Sequence, residues 1–169
     1  MIRRLFLALA AMALAGAATA APPPRMSISD FAQLRTPLPF PYDEQADANA
    51  AVVAARLQAR REHKLLLIDL GGNWCGDCRI LSATTDLPEL KLFVRAHYVV
   101  VLVDVGHFDK NLQIPARYGI HQRLEGVPAL LIVDPRTDRL LDAGHVAALA
   151  DARHMSPQAL ADWLAQWTR

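Results

Sequence analysis

Cys75 and Cys78 are the only cysteines in the 169 residues, and they stand within Trp74-Cys75-Gly76-Asp77-Cys78. A disulfide between them closes a ring too small to restrain much of an unfolded chain, because loop-closure entropy grows with loop length. A structural staple would join distant segments. Two thiols this close suit exchange chemistry: one thiolate attacks a partner disulfide, a mixed disulfide forms, and the second thiol resolves it. The first cysteine comes soon after a short apolar run, Leu65-Leu66-Leu67-Ile68-Asp69-Leu70, that ends at Gly71-Gly72. A helix beginning at or near Cys75 would direct its orphan N–H groups and positive dipole end at that sulfur. Cysteines so placed have pKa values lowered to roughly 3.5–7.5. The chemistry asks for one exposed and one inward-facing thiol.

The elements that must position this pair alternate between helix and strand patterns, which implies a sheet covered by helices, an α/β layer design. Ala46, Ala50, Val53, Ala54 and Leu57 recur at three- and four-residue steps and predict an amphipathic helix from Asp43 to about Lys64. Residues 65–70 and the valine-rich stretch from Tyr98 to Val105 read as buried strands. Between them Asp86 suits an N-cap, Pro88 a first turn and Glu89 a capping box, with Leu90, Phe93 and Val94 sharing one face. Residues 106–121 read as a loop and a short helix ending near Tyr118-Gly119-Ile120. Gly126-Val127-Pro128 introduces a third strand, Ala129 to Val133, and Leu140-Leu141 can return antiparallel after the Asp134-Pro135 turn. Residues 145–153 read as a loop with a helical turn. Ser156-Pro157 then opens a last helix, whose Leu160, Trp163, Leu164 and Trp167 form a core stripe.

Composition narrows the classes further. The chain carries 18 Lys and Arg against 17 Asp and Glu. Met1-Ile2-Arg3-Arg4, the uncharged run from Leu5 to Ala18 and the small-x-small site Ala18-Thr19-Ala20 make the three-part pattern of a signal peptide over residues 1–20. The apolar run is shorter than the roughly 20 residues a spanning helix needs. Without this acid-free leader the balance is 16 to 17, a net charge of −1. That excludes the basic excess of a nucleic-acid binder. A hydrophobic content of 53% excludes a disordered chain, and two cysteines exclude a disulfide-dense scaffold. The expectation is a periplasmic protein without a stable membrane anchor once the leader is cleaved, in a space where disulfides form. Residues 21–42, with six prolines, form a Pro-rich N-terminal segment that would lay Phe31, Phe40 and Tyr42 on the domain of residues 43–169.

With the Trp-Cys-Gly-Asp-Cys motif after an apolar strand, Asp69 six residues before Cys75, and Gly126-Val127-Pro128, the sequence resembles the thioredoxin family over roughly residues 46–169. The resemblance implies a thioredoxin-like fold: a central mixed β-sheet flanked by helices. It implies Cys75 as nucleophile and Cys78 as resolving thiol. It also implies a cis bond before Pro128, with Val127 and Pro128 beside the disulfide. Asp69 would lie buried under Cys78 and exchange protons with it, its pKa raised by desolvation; the alternative for Asp69 is an exposed strand-end carboxylate. Trp74 would shield the thiols and Gly76 complete the motif. The chemistry needs no organic cofactor and no metal. Partners would be disulfide-bearing or thiol client proteins, with a membrane reductant as electron donor.

The chain departs from the family at several points. Asp77 stands where thioredoxins usually have proline, and a carboxylate there would oppose thiolate formation and make the pair more reducing. Val100 stands where many thioredoxins carry a lysine. Residues 121–125 and the stretch around 145–155 look like insertions, the first beside Pro128 on the docking rim. The six histidines form no zinc-ligand pattern, and His121 reads as a solvated loop residue. The expected function is that of an exported thiol–disulfide oxidoreductase that reduces or exchanges disulfides of exported client proteins; the alternatives are a disulfide oxidase or isomerase, and a metal or cytochrome-assembly thiol chaperone that binds without turnover.

Overall fold

Seven consecutive residues, Leu65–Gly71 (β1), run through the middle of the molecule, all but the first buried. The computed structural model describes residues 20–168; the expected leader, Ala20 excepted, lies outside the described residues. β1 pairs in parallel with Tyr98–Asp104 (β2), Leu65 opposite Tyr98 and Gly71 opposite Asp104. Its other edge pairs antiparallel with Ala129–Asp134 (β3), which pairs in turn with the two-residue Arg139–Leu140 (β4). The strand order is β2-β1-β3-β4, a mixed sheet as expected. Alternation along β1 sends Leu66, Ile68 and Leu70 into one core and Leu67 into another. Both faces of β1 are covered, which is why it reads as an unbroken apolar run.

The helices are Ala48–Glu62 (α1), Gly76–Thr85 (α2), Pro88–His97 (α3), Gln113–Ala116 (α4) and Pro157–Ala165 (α5). α1 starts later than expected because Asp47 caps it, its carboxylate accepting the Ala50 N–H at 3.0 Å. Its buried positions are Ala48, Val52, Ala55 and Ala59. The expected stripe of Ala46, Ala50, Val53, Ala54 and Leu57 is exposed. Two apolar stripes compete on this alanine-rich helix. The one with smaller side chains lies against the sheet, and Val53 and Leu57 face solvent.

The expected cap of α3 is also corrected. Asp86 remains in the last turn of α2, its N–H bonded to the Ser82 carbonyl, and it ends that helix. Leu87 is the N-cap, extended and without a side-chain acceptor, because the residue before a proline avoids helical backbone. Glu89 makes no capping box and accepts the Ser27 N–H at 2.7 Å. α5 begins as expected, with Ser156 accepting the Ala159 N–H and Pro157 in its first turn.

The Pro-rich segment is a strap wound over the domain. Proline removes backbone donors and the strap has no strand partner, so side chains of the domain satisfy its backbone. Gln158 donates to the Pro24 carbonyl at 3.0 Å, and Arg79 donates to the carbonyls of Leu38 and Pro39 at 2.6 and 2.9 Å. Asn73 accepts the Tyr42 N–H and donates to the Tyr42 carbonyl. The strap includes one short 3-10 turn, Phe31–Gln33, where regular helix was not expected. Phe31 packs on the core and Tyr42 is buried. Phe40 is not packed inward: it is 67% exposed, with the Arg79 guanidinium 4.0 Å above its ring.

Candidate active site

The first turn of α2 rises directly from the end of β1, and this junction carries the cysteines. Cys75 is the N-cap, and its sulfur accepts the Cys78 N–H at 3.1 Å. The helix terminus therefore presents a donor to the one sulfur that must carry charge in the reduced protein. Cys75 and Cys78 are joined as a disulfide, with Cα atoms 5.3 Å apart. Cys78 is fully buried and Cys75 only 5% exposed, so neither thiol is openly exposed. The Val127 carbonyl oxygen lies 3.3 Å from the Cys75 sulfur. The Val127–Pro128 peptide is cis.

Asp69 is buried at the centre of the sheet, between Leu102 on β2 and Leu130 on β3. The exposed strand-end alternative is thereby excluded. Burial pushes its carboxyl up to about 7, against the lowering effect of a hydrogen bond from Tyr42. That hydroxyl donates to Asp69 Oδ1 at 2.9 Å. Tyr42 and the Cys78 sulfur both crowd the α-carbon of Gly71; a Cβ there would lie 2.8 Å from the sulfur. Asp69, Tyr42 and Cys78 thus share one buried neighbourhood beneath the disulfide.

Asp77 differs from expectation. It is not a bare carboxylate beside the thiols, because Arg153 holds it: the guanidinium Nε and Nη2 donate at 2.7–3.1 Å and the Arg153 N–H at 2.9 Å. Burial pushes the Asp77 carboxyl up, but the hydrogen bonds and charge of Arg153 outweigh it and hold the group below its usual range. Arg153 belongs to the 3-10 turn Ala152–His154 in the second expected insertion. That insertion is anchored by fully buried Leu149 and Ala152, and the Leu130 N–H donates to the Val146 carbonyl at 2.9 Å. It reaches both halves of the site: a Cβ on Gly126 would meet Ala150 at 2.7 Å, and one on Gly76 would meet Arg153 Nη2 at 3.2 Å.

Trp74 forms the opposite rim and is 47% exposed. Its indole N–H donates to the Gly106 carbonyl at 2.7 Å, and its ring stacks on His107 at 4.8 Å. Phe108 meets it edge-on, and Arg123 from the first insertion lies 4.3 Å over Phe108. In that insertion Leu124 is buried in the core and His121 is exposed. Among the described residues no group of three or more His, Cys, Asp and Glu could hold a metal ion, and no helix is long and apolar enough to cross a membrane.

The structure brings together every expected residue: Cys75, Cys78, Asp69, Trp74, Gly76, Asp77, Val127 and Pro128. Two further ones escaped the sequence. Arg153 is the only Arg or Lys in residues 145–155, a signal that could have marked it. The sequence around Tyr42 points only to packing, and nothing local ties it to a carboxylate 27 positions away.

The family model for thioredoxin-like domains matches residues 47–135. The chain belongs to the thioredoxin-like family. Among solved structures it is similar to a disulphide isomerase from Xylella fastidiosa Temecula1. The two share 37% identity with a TM-score of 0.71, over 78% of this chain and 99% of that one. A protein of unknown function from Pseudomonas aeruginosa matches at 22% identity with a TM-score of 0.37, over 71% of this chain and 83% of that one. Among curated proteins none matches. With a Cys-x-x-Cys pair at the start of α2, this thioredoxin-like chain is a thiol–disulfide oxidoreductase.

Proposed function

We propose that the chain acts in the periplasm, after loss of residues 1–20, and reduces disulfides of exported client proteins. The observation that carries the reading is the asymmetry of the pair. Cys75 caps a helix and accepts an N–H, whereas Cys78 is fully buried beside Asp69. In the reduced protein the Cys75 thiolate attacks a client disulfide. One client sulfur leaves with the bonding electron pair and is protonated from solvent. Cys78 then gives its proton to the Asp69 carboxylate and attacks the Cys75 sulfur. The Cys75–Cys78 bond forms, the Cys75–client bond breaks, and the second client sulfur leaves as thiolate. The client gains two electrons and the protein loses two. No organic cofactor or metal is needed, and a membrane reductant restores the dithiol. Trp74, Gly76, Val127 and Pro128 frame the sulfur that the client meets.

The thiol-trapped fraction across dithiol redox buffers tests the direction. A potential near or below about −270 mV supports a reductase, and one near about −120 mV makes the protein a disulfide donor. The likeness to the Xylella protein supports a second reading, isomerisation of client disulfides. Catalytic amounts of reduced protein would then reshuffle a scrambled client without a stoichiometric reductant. Export has its own test: the secreted product should begin at Ala21.

A further inference from the structure

Tyr42 is a buried titratable side chain beneath the disulfide to which the exchange steps give no part. It reaches Asp69 from outside the sheet and helices, and the strap that carries it is fastened to the redox junction on both sides. Asn73, immediately before Trp74, makes two hydrogen bonds with the Tyr42 backbone. Arg79, immediately after Cys78, holds the carbonyls of Leu38 and Pro39. The Tyr42 ring is buried, and its hydroxyl donates to Asp69 Oδ1 at 2.9 Å.

We propose that Tyr42 is a positioning residue that holds Asp69, through the phenol–carboxylate hydrogen bond, as the proton acceptor of Cys78. The inference rests on the assignment of Asp69 to that step. A hydrogen bond from a neutral donor favours the ionised carboxylate over the acid. Burial and the charge of Asp69 push the Tyr42 hydroxyl far up, so it remains a donor and never competes as an acid. Other groups around the carboxylate act differently. Leu102 and Leu130 flank it along the sheet, and Asp104 opposes ionisation of Tyr42. The groove of about 770 Å³ that reaches Asp69 carries Glu62, Lys64, Asp86, Lys91, Arg95 and Tyr98. There Lys64 pairs with Glu62 and Lys91 with Asp86.

The test is the pH profile of mixed-disulfide resolution by Cys78, measured in single turnover with the full mature chain. Tyr42→Phe keeps the ring and removes the donor. The profile should move to higher pH by about one unit, a roughly tenfold slower resolution at pH 6, the size expected of one hydrogen bond to a charged group. Tyr42→3-fluorotyrosine, a stronger donor of nearly the same shape, should move it to lower pH; this variant keeps the inference testable should Tyr42→Phe fail to fold. A structural role would change the melting temperature and leave both profiles in place, which overturns the proposal. Asp69→Asn separates the two claims. If it abolishes the pH dependence while the Tyr42 variants leave it untouched, Tyr42 has no part in the step. If it leaves the dependence unchanged, Asp69 is not the acceptor and both assignments fall.

Discussion

Arg153 and Asp77 are joined across the mouth of the redox site, side chain to side chain and backbone N–H to carboxylate, with the guanidinium lying against Gly76. Each charge cancels much of the other's field at Cys75. The electrostatic setting of the nucleophile is therefore a property of the pair and not of Asp77 alone.

Removing one partner exposes the charge of the other. Asp77→Asn leaves the Arg153 cation beside Cys75, which stabilises the thiolate and hence the reduced protein. The reduction potential should rise by on the order of 20 mV, a modest charge effect at a partly solvated site. Arg153→Met should lower it, and by less, because the guanidinium is half exposed and screened. The double variant should return close to the starting value. Redox titration of the four proteins checks this; equal signs for the two single variants would refute the pairing.

The helix-capping position of Cys75 and the complete burial of Cys78 set their roles. Cys78→Ala should accumulate mixed disulfides with client proteins through Cys75, because the sulfur that caps the helix is the one favoured as thiolate and nothing remains to resolve the adduct. Cys75→Ala should trap none, since Cys78 is fully buried. Non-reducing gels of cell extracts carrying each variant show which cysteine captures. Trapping by Cys75→Ala alone would reverse the assignment.

Local chemistry made much of this site legible. The glycine-ended apolar run, the cysteine at a helix start and Ser156-Pro157 each depend on a few adjacent residues, and each was found where expected. What was missed depends on distant packing. The buried face of α1 was misread because an alanine-rich helix offers two apolar stripes, and only contact with the sheet selects the smaller-sided one. The cap of α3 was misread because Asp86 was still committed to α2. Arg153 and Tyr42 come to the site across 76 and 27 positions of sequence, and no periodicity records such a meeting.

Asp69 should make stability depend on pH in a definite direction. Its carboxyl is raised by burial to about 7 in the folded protein, against about 3.9 in an unfolded chain. Well below pH 4 it is protonated in both states and costs nothing. As pH rises the unfolded chain ionises first, so folding stability falls progressively and levels off above pH 7. Asp69→Asn removes this penalty while keeping an acceptor for Tyr42. The oxidised variant should match the wild type near pH 3 and exceed it at pH 8 by on the order of 4 kcal/mol. Asp142, raised by burial to about 6, adds the same trend in both proteins and cancels from the difference. Urea denaturation at the two pH values measures it, and a variant less stable at pH 8 would contradict the raised carboxyl.

Gly71 gives a steric test of the same neighbourhood. Its φ is not in the left-handed region, so alanine there is strained only by what its Cβ meets. That Cβ would fall against the Tyr42 hydroxyl, 2.6 Å from the ring carbon that bears it and 2.8 Å from the Cys78 sulfur. Gly71→Ala should destabilise by about 1–3 kcal/mol, the usual range for overpacking a core. By contrast, a Cβ on Gly76 would meet only the flexible end of Arg153, at 3.2 Å, and Gly76→Ala should cost less than about 0.5 kcal/mol. Tyr42→Phe removes the nearest obstructing atom, so Gly71→Ala should cost less in that background than in the wild type. A double-mutant cycle by denaturant unfolding reads the coupling. Strict additivity would mean that Tyr42 and Gly71 are not in contact, and the buried cluster beneath the disulfide would have to be redrawn.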